Sequence, residues 1–136
     1  MKPNLRAASL SARPWRHVRW LVIAPHPDDE TLGAGALICQ TARERRLTAV
    51  VYLTDGSGSH ATHSVQRLIS VRKREAALAL RRLAGGPVDT VHLDWRDASP
   101  VSPGDALFDR SCRQLAALCE MLRVDAIAVT ALDEPH

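Results

Sequence analysis

Short apolar runs rich in β-branched residues alternate along this chain with longer stretches of helical period. That alternation restricts the fold to βαβ units feeding a parallel, largely buried sheet. Strands are expected over 19–25 (RWLVIAP), 48–54 (TAVVYLT), about 90–93 and 125–130 (DAIAVT). Between them helices are expected over 31–46, 65–83 and 105–122. The second places Leu68, Ala76, Leu80 and Leu83 on one face, and the third sets Leu115, Leu118, Cys119 and Leu122 at i, i+3, i+4 and i+7, stripes that a sheet can bury. Gly85-Gly86-Pro87 should end the second helix, since glycine supplies a left-handed cap and proline blocks continuation. The class is α/β, a Rossmann-like three-layer sandwich with a mostly parallel sheet.

A length of 136 residues fits one domain with a real core. With 46% hydrophobic and 24% charged residues the chain is too apolar for disorder, and no apolar run approaches the roughly 20 residues of a membrane span. Lys2, Arg6, Arg13, Arg16 and Arg19 concentrate basicity at the start, so residues 1–17 read as a flexible basic lead and 18–136 as the domain. The lead has no continuous apolar segment of the kind a secretion signal needs. Cys39, Cys112 and Cys119 show no C-x-x-C spacing and sit in helical patterns, which fits a reducing cytoplasm. Beyond the basic lead nothing favours a nucleic-acid partner: the chain has few aromatics and no recognisable module. Oligomeric state is not written in the pattern.

The residues that carry chemistry follow the first strand: Pro25-His26-Pro27-Asp28-Asp29-Glu30, then Thr31-Leu32-Gly33-Ala34-Gly35 opening a helix. Open α/β sheets place ligands at the carboxyl ends of their strands. His26 and Asp29 are three apart, so one turn can direct an imidazole nitrogen and a carboxylate oxygen at one cation while Asp28 points elsewhere. Nitrogen with oxygen suits zinc or a similar divalent ion. Asp28, Asp29 and Glu30 would also cap and charge-complement the helix, with Thr31 another possible cap. Capping, however, requires neither a histidine nor two prolines.

These residues resemble the PIG-L/LmbE-like deacetylase family, whose hallmark is [AP]-H-P-D-D-E followed in many members by T-L-G-x-G. The likeness continues through Leu53-Thr54-Asp55-Gly56, through Arg72-x-x-Glu75-Ala76, and through the strand leading to Asp97. At the end of the sequence, Asp133-Glu134-Pro135-His136 looks like the start of the family's P-H-x-D-H. The resemblance implies metal ligation by His26 and Asp29, with a third ligand from the last histidine of P-H-x-D-H, which lies past residue 136. The chain is therefore expected to be a fragment that is inactive alone. The resemblance further implies Asp28 as general base and His136 as the histidine that stabilises the oxyanion or protonates the leaving amine. Asp55, Arg72 and Asp97 become substrate-binding candidates. Each also has a plain structural reading: a T-D-G turn, a solvated helix face, and a turn residue. The implied reaction is hydrolysis of an N-acetylglucosamine-type amide on a small amino-sugar conjugate, with Zn2+ as cofactor and Fe2+ or another divalent ion able to use the same ligands.

Two other readings compete. A phosphate-binding module is disfavoured, because Gly33-Ala34-Gly35 lies inside the helix after an acidic run and Ile38 stands where a third glycine is needed. A catalytically impaired, deacetylase-fold interaction domain is the alternative function. His60 and His63, three apart in the polar loop 55–64, read as loop residues rather than metal ligands.

Overall fold

The computed structural model describes residues 14–59, 64–99 and 101–130. Four strands form one parallel sheet: β1 (Trp20–Ala24), β2 (Leu47–Thr54), β3 (Thr90–Trp95) and β4 (Ala126–Ala128), in the order β3-β2-β1-β4. Helices α1 (Asp29–Arg43), α2 (Val65–Ala84) and α3 (Ala106–Leu122) make the crossovers. The α/β expectation holds.

Alternation along the central strands divides the core between the two faces of the sheet. Val22, Ala24, Val50 and Tyr52 face one side with Ile38 of α1 and with Ala76 and Leu80 of α2. Leu21, Ala49, Val51 and Leu93 face the other, where Leu115, Leu118, Cys119 and Leu122 of α3 cover them. Because β1 and β2 are covered on both faces, they read as continuous apolar runs. The result is three layers.

Chain reversals follow local chemistry. Gly85 closes α2 at φ 73°, its N–H donating to the Arg81 carbonyl, a conformation open to glycine at little steric cost. At the start of the described chain, Trp15–His17 form one 3-10 turn. The buried Arg46 donates to the carbonyls of Trp15 and Val18 and pairs with Glu44, fastening this turn to the α1–β2 connection.

Two strand limits differ from expectation. The third strand extends to Trp95, because a register shift lets Thr54 pair with Trp95. The fourth is shorter than the run of β-branched residues: its pairing with β1 covers Ala126 to Ala128, and Asp125 is used instead to accept the Arg19 N–H. Among the described residues no helix is long and apolar enough to cross a membrane.

Candidate active site

The carboxyl ends of three adjacent strands are tied together one by one. Thr54 donates through both its N–H and its hydroxyl to the Pro25 carbonyl, each at 3.0 Å, joining the end of β2 to the chain leaving β1. Asp55 N–H donates to the Trp95 carbonyl at 2.9 Å, joining β2 to β3. The loop bearing His26 therefore starts from a fixed point.

From Pro25 the chain turns directly into α1. Asp28 occupies the N-cap position at φ 151°, uncommon for a residue with a side chain. Its side chain makes no capping hydrogen bond, so the purely structural reading of this aspartate does not account for it. The cap is made from inside the helix: the Asp28 N–H donates to Glu30 Oε2 at 3.0 Å. Glu30 is buried at 1% exposure and accepts the Thr31 hydroxyl through its other oxygen. Burial raises the Glu30 pKa against these hydrogen bonds. Near it the Tyr52 hydroxyl is buried with no well-formed hydrogen bond among the described residues, and desolvation, followed by the charge and the side-chain approach of Glu30, pushes its pKa upward.

His26 and Asp29 face each other. The Asp29 carboxylate accepts the His26 backbone N–H at 2.9 Å, and the same oxygen lies 2.9 Å from His26 Nδ1. Two donors on one tetrahedral zinc ion would be separated by about 3.3 Å, from metal–ligand bonds of about 2.0–2.1 Å. The observed pair is a few tenths of an ångström closer, as suits two groups in direct contact with each other, and both residues line one cleft, so the nitrogen–oxygen donor set fits a divalent cation. A cleft of about 780 Å³ opens beside them, walled in part by Ile23, Leu32, Leu37 and Ala128. Among the described residues no group of three or more His, Cys, Asp or Glu is arranged to hold a metal ion.

Asp28 stands apart from that pair. Its carboxylate is half exposed and lies 3.5 Å from Arg72 Nη2. Arg72 is mostly buried and its Nε has no partner among the described residues, so this arginine of α2 is not part of a solvated face.

Asp55 and Asp97 belong to one lattice. Asp55 Oδ1 accepts the N–H groups of Ser57 at 2.9 Å and Asp97 at 3.2 Å. Desolvation would raise the Asp55 pKa, but these hydrogen bonds outweigh it and hold the carboxyl below its ordinary range. Asp97 Oδ2 accepts the Gly58 N–H at 2.9 Å, Oδ1 accepts the Ala98 N–H at 2.8 Å, and Oδ1 also lies 3.2 Å from His26 Nε2. The structure thus brings His26, Asp28, Asp29, Arg72, Asp55 and Asp97 to one end of the sheet. His136, His60 and His63 lie outside the described residues. Sequence alone does not single out Glu30 or Gly58 as site residues; a carboxylate one residue past the candidate ligand pair and a glycine inside a polar loop are the signals it offers.

Comparison with protein-family models matches residues 21–136 to PIG-L, GlcNAc-PI de-N-acetylase. Among solved structures the fold is similar to the N,N'-diacetylchitobiose deacetylase from Pyrococcus horikoshii complexed with its inhibitor MPG, at 25% identity and a TM-score of 0.62. That similarity covers 80% of this chain and 39% of the Pyrococcus chain. A search of curated proteins finds no match. The family match starts in β1 and takes in every loop that supplies the site, and the chain belongs to the PIG-L family of GlcNAc-PI de-N-acetylases.

Proposed function

We propose that the protein is a metal-dependent N-deacetylase that removes acetyl from an N-acetylglucosamine-type amide, zinc being the favoured ion. The observation that carries this reading is the approach of His26 Nδ1 and Asp29 Oδ2 to each other beside a half-exposed Asp28 carboxylate that is engaged by neither of them and lies 3.5 Å from Arg72 Nη2. A divalent ion held by His26, Asp29 and a third ligand would polarise the amide carbonyl and acidify water at neutral pH.

The chain's own residues then divide the work. Asp28, adjacent to a ligand but bonded to neither His26 nor Asp29 through its side chain, accepts the proton of the attacking water. His136 is assigned to the oxyanion or the leaving amine; β4 pairs with β1, so the segment leading to it starts beside the strand that leads to His26. Arg72 presents a cation next to Asp28, which suits it to a polar or anionic group of the substrate. Asp55 is carried as a further substrate contact through Oδ2. The similar Pyrococcus protein is a deacetylase of N,N'-diacetylchitobiose, which supports a small amino-sugar substrate.

The experiment is acetate release from N-acetylglucosamine conjugates by the full gene product loaded with Zn2+, beside Asp28→Asn. Release by the wild type with stoichiometric metal, lost in the variant, is expected. Metal binding without acetate release from any such conjugate would redirect the reading to a non-catalytic binding domain.

A further inference from the structure

We infer that Asp97 is a positioning residue for His26: it fixes the imidazole from behind through Nε2, so that Nδ1 is directed at the cation site shared with Asp29. The inference rests on the proposed metal-dependent reading and adds to it a residue that touches neither the ion nor the reacting atoms.

The His26 ring lies between two carboxylates, with Asp29 Oδ2 2.9 Å from Nδ1 and Asp97 Oδ1 3.2 Å from Nε2. One side of the ring faces the candidate ligand partner and the other faces Asp97. A ligand histidine that gives its second ring N–H to a carboxylate is held in one tautomer and one orientation. Asp97 is suited to that task because it cannot move easily. Its side chain is 12% exposed, and both oxygens already accept backbone N–H groups, from Gly58 and from Ala98. Its own N–H is held by Asp55 Oδ1, and Asp55 in turn is anchored to the end of β3. Hydrogen bonds therefore run from the Trp95 carbonyl through Asp55 to Asp97, whose Oδ1 stands 3.2 Å from the imidazole Nε2.

Gly58 supplies an independent handle. A Cβ at this position would stand 2.9 Å from Asp97 Cγ and 3.0 Å from Oδ2. The glycine lets the loop backbone come close enough to grip the carboxylate, and a methyl group there must push Asp97 away.

The test measures zinc affinity of the full gene product by competition with a chromophoric chelator, in wild type, Asp97→Asn, Gly58→Ala and the double variant. Each single change is expected to weaken zinc binding by about 10–100-fold, with the double variant no weaker than Asp97→Asn alone, because both act through one contact. The visible spectrum of the Co2+-loaded protein should shift in both single variants. A purely structural role would lower Tm while leaving zinc affinity and the cobalt spectrum unchanged, and zinc affinity within twofold of wild type in both single variants overturns the inference. If the wild type itself binds no zinc, the metal-dependent reading fails separately. The ring 15N shifts of His26 in the metal-free protein then decide the inference: a protonated Nε2 in wild type that becomes a tautomer mixture in Asp97→Asn supports it, and identical shifts refute it.

Discussion

On the β2–β3 side of His26 each strand end is fastened to its neighbour by a named hydrogen bond, while on the β4 side the sheet ends in a three-residue strand with little cover. Thr54, Asp55, Asp97 and Gly58 form the first region, and their hydrogen bonds run from the sheet to Asp97, whose Oδ1 lies 3.2 Å from the imidazole. In the second, Ile127 is 50% exposed and Val129 60%, and Leu32 on α1 stands 82% exposed. The half of the candidate site around His26 and Asp29 is therefore built by strand-end geometry. The described residues do not build the other half, where the resemblance places His136 and a further ligand. A site preorganised on one side only binds its cation weakly until the other side is supplied.

The largest effect that separates these regions is expected at Asp28. Asp28→Asn should cut acetate release by about 100- to 10,000-fold while zinc affinity stays near wild type, because its side chain joins neither of the proposed ligands, His26 and Asp29. Loss of metal together with activity would move Asp28 into the ligand set and break the division of roles.

Next comes the core beneath the tied region. Leu80 is 1% exposed in the cluster with Val22, Val50 and Tyr52. Leu80→Ala should lower unfolding free energy by about 2–5 kcal/mol, read from urea denaturation. A cost below about 1 kcal/mol would mean that this side is not the close-packed one.

A smaller effect concerns pH. Burial, reinforced by Lys73, holds His92 below its ordinary pKa of 6.5, and its Nδ1 has no partner among the described residues. As pH falls through the ordinary value the unfolded chain takes up a proton that the folded chain refuses, so stability is lost from there down to the depressed folded pKa. His92→Phe, which preserves a ring against Tyr52 at the 5.0 Å stacking distance, should flatten that acid-side loss. Equal pH slopes for variant and wild type in urea midpoints would show that His92 does not contribute to it.

The smallest effect is expected at the open edge. Ile127→Ala should change stability by no more than about 0.5 kcal/mol when the chain of residues 1–136 is unfolded by urea. A cost comparable to that of Leu80→Ala would show that Ile127 is covered in solution, and the contrast between the two regions would dissolve.

Most of the fold was legible because its signals are local and redundant. The runs at β1 and β2 are apolar on both faces, α3 repeats its apolar residues at helical spacing, and Gly85 sits where α2 must stop. The Pro25 to Glu30 segment was legible for another reason: a histidine between two prolines has no structural purpose that a capping sequence requires. What could not be read is set by tertiary contact. Nothing local reveals that Glu30 is buried and caps Asp28 from within the helix, that Arg72 leaves the charged face of Arg72-Lys73-Arg74 to meet Asp28, or that Gly58 and Asp97 touch across 39 residues. The limits of β3 and β4 escaped for the same reason, since pairing with a neighbour decides where a strand stops.

The central claim is that His26 and Asp29 hold a divalent ion for catalysis. The most direct measurement is the metal content and zinc affinity of the full gene product beside His26→Ala. One zinc per chain in the wild type, with affinity reduced by at least about 100-fold in the variant, is the predicted result. A variant that retains zinc at wild-type affinity, or a wild type that takes up none, would contradict it.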